Sequence, residues 1–217
     1  MSERGRVAIL VVDIQKDFTE AHDGALAVPG ADHDYLEAVR AAVGKLKRAG
    51  FPVIATQDWH PEEHVSFHTS HPEGEIFKPH TLADGRTQMM WPEHCVRESG
   101  GAELTLDPDV VNHTVKKGMD RGYDSYSGFR DDGGKETGLH GLLQKENIKT
   151  VVVFGLATDY CVLFTVKHAR EHGYNVALIK ELSRGVAPDT TEAALREMAD
   201  LGVQVWDKFD LEKIKSL

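Results

Sequence analysis

The stretch Val151-Val152-Val153-Phe154-Gly155-Leu156-Ala157-Thr158-Asp159-Tyr160-Cys161 decides the architecture. Its opening four residues are apolar, mostly β-branched and too few for a helix, the pattern of a strand buried on both faces. A short polar turn follows, and Tyr160–His172 reads as a helix. Thr158 or Asp159 is placed to cap it. Cys161 then falls in the first helical turn, where the positive end of the helix dipole favours thiolate, the nucleophilic form. The competing reading is core packing, because free cysteine is among the most buried residue types. On this residue alone the two readings balance.

Outward from that unit the chain repeats the alternation. Val7–Val12, Phe51–Thr56, Val110–Val115, Asn175–Ile179 and Val203–Trp206 read as further strands. Ala31–Ala49 carries Leu36, Val39, Val43 and Leu46 at helical spacing and is closed by Gly50 and Pro52. Leu139, Leu142 and Leu143 mark another helix. Asp189-Thr190-Thr191-Glu192 resembles a capping box, with Ala194, Leu195, Met198 and Leu201 on one face behind it and Gly202 at the end. Strands alternating with helices predict an α/β fold: three α/β/α layers around a six-stranded, mostly parallel sheet with right-handed crossovers. No repeat or linker interrupts residues 1–217, which read as one domain. The exception to the alternation is an irregular insertion at about 58–106, rich in His, Pro and Gly. A loop of that length is usually functional or holds small elements.

The bulk numbers exclude several classes. The 217 residues carry 25 Lys and Arg against 35 Asp and Glu, a formal charge of −10. That argues against nucleic acid or an anionic membrane as partner. No apolar run approaches a membrane span, and Met1–Arg6 reads as polar sequence leading into a strand, with no signal or transit peptide. Two cysteines make no disulfide framework and suit a reducing, cytoplasmic setting.

Ligands of open parallel sheets bind at the carboxyl ends of the strands. Asp13, Asp58 with His60, Lys117 and Cys161 each follow a predicted strand. Taken singly, the Asp is a common turn former and the Lys a common surface charge; their recurrence at strand ends is the argument for a site. In Asp58-Trp59-His60, residues i and i+2 of an extended segment face one side, so a carboxylate and an imidazole can reach one cation. A third ligand has to come from the insertion, which holds His64, His68, His71, His80 and His94. His94 stands in the rigid-looking Met90-Trp91-Pro92-Glu93-His94-Cys95, whereas the other four read as solvated. Three protein ligands with open positions is a catalytic rather than structural arrangement.

On these segments, together with Val11-Val12-Asp13-Ile14-Gln15-Lys16-Asp17-Phe18 and Tyr126-Ser127-Gly128-Phe129, almost the whole chain resembles the nicotinamidase/pyrazinamidase family of isochorismatase-like hydrolases. The metal segments narrow the likeness from the wider superfamily. The resemblance implies a Rossmann-like strand order and hydrolysis of nicotinamide to nicotinate and ammonia, extending to pyrazinamide. It implies a Cys161–Asp13–Lys117 triad, an oxyanion hole from the Ala157 and Cys161 amides beside a cis peptide, and one divalent metal on Asp58, His60 and His94. Zinc stands ahead of iron and manganese. Phe18, Trp91, Tyr126 and Tyr160 would line the substrate pocket. Ser66 falls where some relatives place a fourth ligand and is expected to reach the metal through water, with Glu63 and His64 as weaker direct candidates. Oligomeric state is left open, a homo-oligomer included. The rivals are a carbamoyl or ureido amidase, an isochorismatase, and a non-catalytic metal-binding protein on the same scaffold.

Overall fold

The computed structural model describes residues 6–217, so the reading of Met1–Gly5 as free of a leader lies outside the described residues. In chain order the elements are β1 (Arg6–Val12), α1 (His33–Arg48), β2 (Val53–Asp58), β3 (Pro79–Thr81), β4 (Thr87–Met89), β5 (His113–Lys117), α2 (Leu139–Lys145), β6 (Ile148–Gly155), α3 (Leu163–Glu171), β7 (Asn175–Ile179), α4 (Pro188–Asp200), β8 (Gln204–Trp206) and α5 (Leu211–Lys215). Six strands form one sheet in the order β5-β2-β1-β6-β7-β8, and every pairing in it is parallel. β3 and β4 form a separate antiparallel hairpin inside the insertion. Among the described residues no helix is long and apolar enough to cross a membrane.

Successive strand residues point to opposite faces, and both faces are covered. Ile9, Val11, Val152 and Phe154 pack in one cluster with Leu36, Val39 and Val43 of α1. Leu10, Val12, Val151 and Val153 pack in the other with Leu139 of α2, Val166 of α3 and Met198 of α4. Each fully buried side chain of this kind contributes about 1.5–3 kcal/mol. α1 starts where the Asp32 carboxylate accepts from the Tyr35 amide at 2.9 Å, and ends at Gly50, whose φ of 88° suits glycine.

Several boundaries depart from the sequence expectation. The third strand of the sheet starts at His113, not Val110, because Asp107 caps a 3-10 turn at Pro108–Val110. The expected helix Tyr160–His172 opens instead as a π-helical turn, Thr158–Val162, that passes into α3. Neither Thr158 nor Asp159 caps it; the N-cap is Ala157, with no side-chain bond. The capping box at Asp189–Glu192 does not form either, since α4 begins at Pro188 with Ala187 as N-cap. The Asp159 carboxylate does that work from a distance, accepting from the Val186 amide at 2.9 Å, the Ala187 amide at 3.3 Å and the Thr190 hydroxyl at 2.5 Å. One carboxylate thus serves the exposed amides at the start of α4.

Candidate active site

Chain connections reverse direction between β1 and β6, which opens a crevice at their carboxyl ends. Asp13 lies there, just past β1, with a positive φ of 47°. The Thr56 hydroxyl donates to its Oδ1 at 2.6 Å and accepts from its amide at 3.2 Å, fixing the carboxylate. Asp58 and Lys117 are the last residues of β2 and β5 and face each other in register. The Lys117 ammonium donates to Asp58 Oδ1 at 2.5 Å and to the Ser125 carbonyl at 2.8 Å. It also lies 3.0 Å from Asp13 Oδ2 and 3.4 Å from Cys161 Sγ. All four groups are buried.

Burial and charge oppose one another here. Burial pushes Asp13 up and Lys117 pulls it back, leaving the carboxyl above its ordinary value. Burial likewise pushes the Cys161 thiol well up, against the pull of Lys117. Burial thus works against the dipole-favoured thiolate expected from sequence, while Lys117 works for it. Burial disfavours the Lys117 charge, but Asp13 and Asp58 outweigh it and keep the ammonium.

β6 ends at Gly155, with a φ of 139°; a Cβ there would sit 2.1 Å from the Val12 carbonyl oxygen, so only glycine fits. The next peptide, Leu156–Ala157, is cis. Among the described residues the Ala157 N–H meets no hydrogen-bond acceptor, whereas the neighbouring Thr158 amide donates to the Arg184 carbonyl at 2.8 Å.

Asp58, His60 and His94 are buried, and each offers a ligand atom within 4.8 Å of the others. His60 Nδ1 is 2.9 Å from the Gly118 carbonyl and His94 Nδ1 is 2.8 Å from the Pro92 carbonyl. Both contacts place the proton on Nδ1 and leave the Nε2 lone pair free to ligate. Gly118, with a φ of 64°, permits the first contact; a Cβ there would lie 2.3 Å from the His60 ring. Burial and the neighbouring His60 hold His94 down at about 4, in the neutral form a metal ligand requires. Burial would raise Asp58, but Lys117 and then His60 outweigh it and keep it a carboxylate. The donor set fits a divalent metal.

Residues with no role assigned from sequence hold this set in place, Gln15 and Asp17 first among them. The Gln15 side chain accepts from the Asp58 amide at 2.8 Å and donates to the Asp58 carbonyl at 2.9 Å. The Asp17 carboxylate accepts from the Cys95 amide at 2.7 Å, and the Cys95 carbonyl accepts from the His60 amide at 3.0 Å. His64, expected to be solvated, is fully buried beside His60, with ring centroids 4.2 Å apart. Its Nδ1 is 2.7 Å from Ser66 Oγ and its Nε2 3.1 Å from the Tyr123 carbonyl. Burial pushes it down to about 4, so the neutral ring accepts from Ser66 and donates to Tyr123, which occupies both nitrogens. Ser66 is buried with it. Asp124 was not singled out; it is buried, accepts from Gln88 Nε2 at 2.8 Å, and reaches the cavity.

Phe18, Trp91, Tyr126 and Tyr160 all line one cavity, together with Asp58, His94, Ala157 and Cys161. Leu26, Val28 and Val186 complete its apolar wall. Trp91 Nε1 donates to the Tyr126 hydroxyl at 3.1 Å, and the Trp91 and Tyr160 rings meet edge to face at 5.1 Å. A flat apolar ring with one polar substituent matches such a slot.

The chain belongs to the isochorismatase family: the Isochorismatase domain matches residues 7–208. Within it, the chain is 39% identical to the nicotinamidase of Escherichia coli over 95% of its own length and 97% of the relative's. The yeast nicotinamidase bound to the inhibitor nicotinaldehyde superposes with a TM-score of 0.85 at 27% identity, covering 93% of this chain and 100% of that one. The pyrazinamidase of Pyrococcus horikoshii in complex with zinc superposes at 0.78 with 33% identity, covering 94% and 99%.

Proposed function

We propose that the chain is a nicotinamidase, a cysteine amidohydrolase that converts nicotinamide and water to nicotinate and ammonia and accepts pyrazinamide as well. The observation that carries the reading is the convergence of Asp13, Asp58 and Cys161 on one buried ammonium, Lys117, with Asp58 and Cys161 lining an aromatic slot. Likeness to nicotinamidases over nearly the whole chain supports the substrate class.

In this reading Asp13 takes the proton of Cys161 as the sulfur adds to the carboxamide carbon. A carboxylate held above its ordinary range is better matched to that task near neutral pH than a solvated one. Protonated Asp13 then gives the proton to the departing nitrogen, which leaves as ammonia and frees a thioester. Lys117 stays charged throughout and stabilises the anionic partners. The Ala157 and Cys161 amides receive the tetrahedral oxyanion, at roughly 2.7–4 kcal/mol per donor. Asp13, again basic, deprotonates the water that cleaves the thioester, and the proton returns to sulfur. Phe18, Trp91, Tyr126 and Tyr160 hold the ring. Asp58, His60 and His94 would hold one divalent ion, zinc ahead of iron and manganese, which would supply a Lewis-acid anchor for a ring nitrogen or water. The zinc complex of the Pyrococcus horikoshii relative supports that assignment, and Ser66 would meet the ion through water. The one-domain reading is supported by a single sheet that draws strands from residues 6 to 206. Two free cysteines support a cytoplasmic setting.

The test is ammonia release from nicotinamide by reduced protein, with and without chelation. Release that falls on metal removal and returns with added metal supports the reading; release from verified metal-free protein would leave the thiol chemistry but remove the ion from it. No release from metal-replete, reduced protein would overturn the substrate.

A further inference from the structure

A second group of metal-ligating side chains lies outside the cavity, at the surface of the insertion. His71, Glu73 and His80 each offer one ligand atom within 4.8 Å of the other two. Glu73 Oε1 is 3.3 Å from His80 Nε2 and 3.9 Å from His71 Nδ1, and the two rings face each other at 38° with centroids 5.6 Å apart. The imidazoles are mostly covered and the carboxylate is open to solvent. Among the described residues these three side chains form no hydrogen bonds to other groups, so a cation would displace no existing partner. Four-coordinate bonds of about 2.0–2.1 Å to imidazole and carboxylate set ligand atoms about 3.4 Å apart. The Glu73–His80 distance already meets that, and the Glu73–His71 distance has to close by about half an ångström, within reach of a rotamer adjustment on exposed side chains.

We propose that His71, Glu73 and His80 form a second, peripheral binding site for a divalent transition-metal ion of the zinc class, distinct from the Asp58–His60–His94 set. Two imidazoles and one carboxylate with open positions suit such ions and not calcium or magnesium, which take oxygen ligands. The site would close a loop. His71 and His80 flank the segment that carries Phe77, whose amide donates to the Met90 carbonyl at 2.7 Å and whose ring meets Trp91 edge-on at 5.9 Å. Gly74 packs so tightly on Met90 that a Cβ would come within 2.9 Å of it. An ion on the three ligands would tie both ends of this segment behind Trp91, a wall of the cavity.

The experiment is zinc titration of chelated, refolding-checked full-length protein by calorimetry, for the natural chain, His71→Ala/His80→Ala and His60→Ala. The expected result is two equivalents for the natural chain and one for the double variant, with His60→Ala keeping the equivalent that the double variant loses. A natural chain that binds one equivalent, lost in His60→Ala and kept in the double variant, overturns the proposal. So does a double variant that still binds two. A second readout is cleavage by chymotrypsin at Phe77, which is 59% exposed. Zinc at ten times its peripheral dissociation constant should slow cleavage about tenfold in the natural chain and leave the double variant unchanged; equal protection of both would overturn the proposal.

Discussion

Lys117 binds Asp58 more closely than it binds Asp13, at 2.5 Å against 3.0 Å. The ammonium therefore belongs as much to the proposed metal-ligand set as to the thiol and its proposed base. Lys117→Met should strand two buried carboxylates, and breaking buried pairs of this kind costs about 3–5 kcal/mol. Thermal melting should show the loss. Nicotinamide turnover should fall by at least about 10²-fold, and alkylation of Cys161 should need higher pH, because Lys117 draws the thiol pKa down. Unchanged turnover in a folded Lys117→Met variant would contradict the assigned role.

Cys161→Ala should abolish ammonia release while nicotinamide still binds, because the aromatic walls around it are untouched. Calorimetric binding with turnover at the detection limit is the expected pair of results. Substantial residual turnover would remove the sulfur as nucleophile.

The acid limb of kcat/KM should lie above the pH at which a solvated aspartate titrates, about 3.9. Asp13 is held above its ordinary value by burial. A base with a raised pKa is lost earlier as pH falls, so activity should decline at a pH where surface carboxylates are still ionised. Metal content measured at each pH separates this from ligand protonation. A profile flat to pH 4 with metal retained would be the contrary result.

His60→Ala should lose the cavity metal equivalent and lower turnover, whereas His64→Ala should retain it, since both nitrogens of His64 already have partners, Ser66 and Tyr123. Metal analysis after desalting decides between them. Loss of that equivalent in His64→Ala with the fold intact would make it a ligand.

Gln15→Leu removes two hydrogen bonds that clamp the Asp58 backbone. Each such bond contributes about 0.5–1.5 kcal/mol, and buried partners left unsatisfied cost more. The variant should melt lower and hold metal more weakly, read by calorimetry with zinc.

The parallel sheet was legible because β1, β2, β6 and β7 each contain a short apolar run, the signature of strands covered on both faces. β5 was misplaced because it is an edge strand with only Val115 and Lys117 buried, so its sequence carries little hydrophobic pattern. The β3–β4 hairpin has three-residue strands of mixed polarity and gives no periodicity to read. Asp13, Asp58, Lys117 and Cys161 could be picked out because each stands at a strand end or the turn beyond it. His64 and Asp124 could not, since their burial depends on contacts between loops. The cap of α4 is opaque for the same reason: its donor amides at Val186 and Ala187 lie 27 and 28 residues from the carboxylate that receives them.

That long-range cap couples two events that usually stay separate. Asp159 sits two residues before the proposed nucleophile, and its carboxylate is spoken for by the start of α4. Any fraying at that helix end releases the aspartate and loosens the turn beneath Cys161. On gradual heating the enzyme should fall silent before its sheet gives way, so a catalytic assay would register the first stage of failure while far-ultraviolet dichroism still reported an intact molecule.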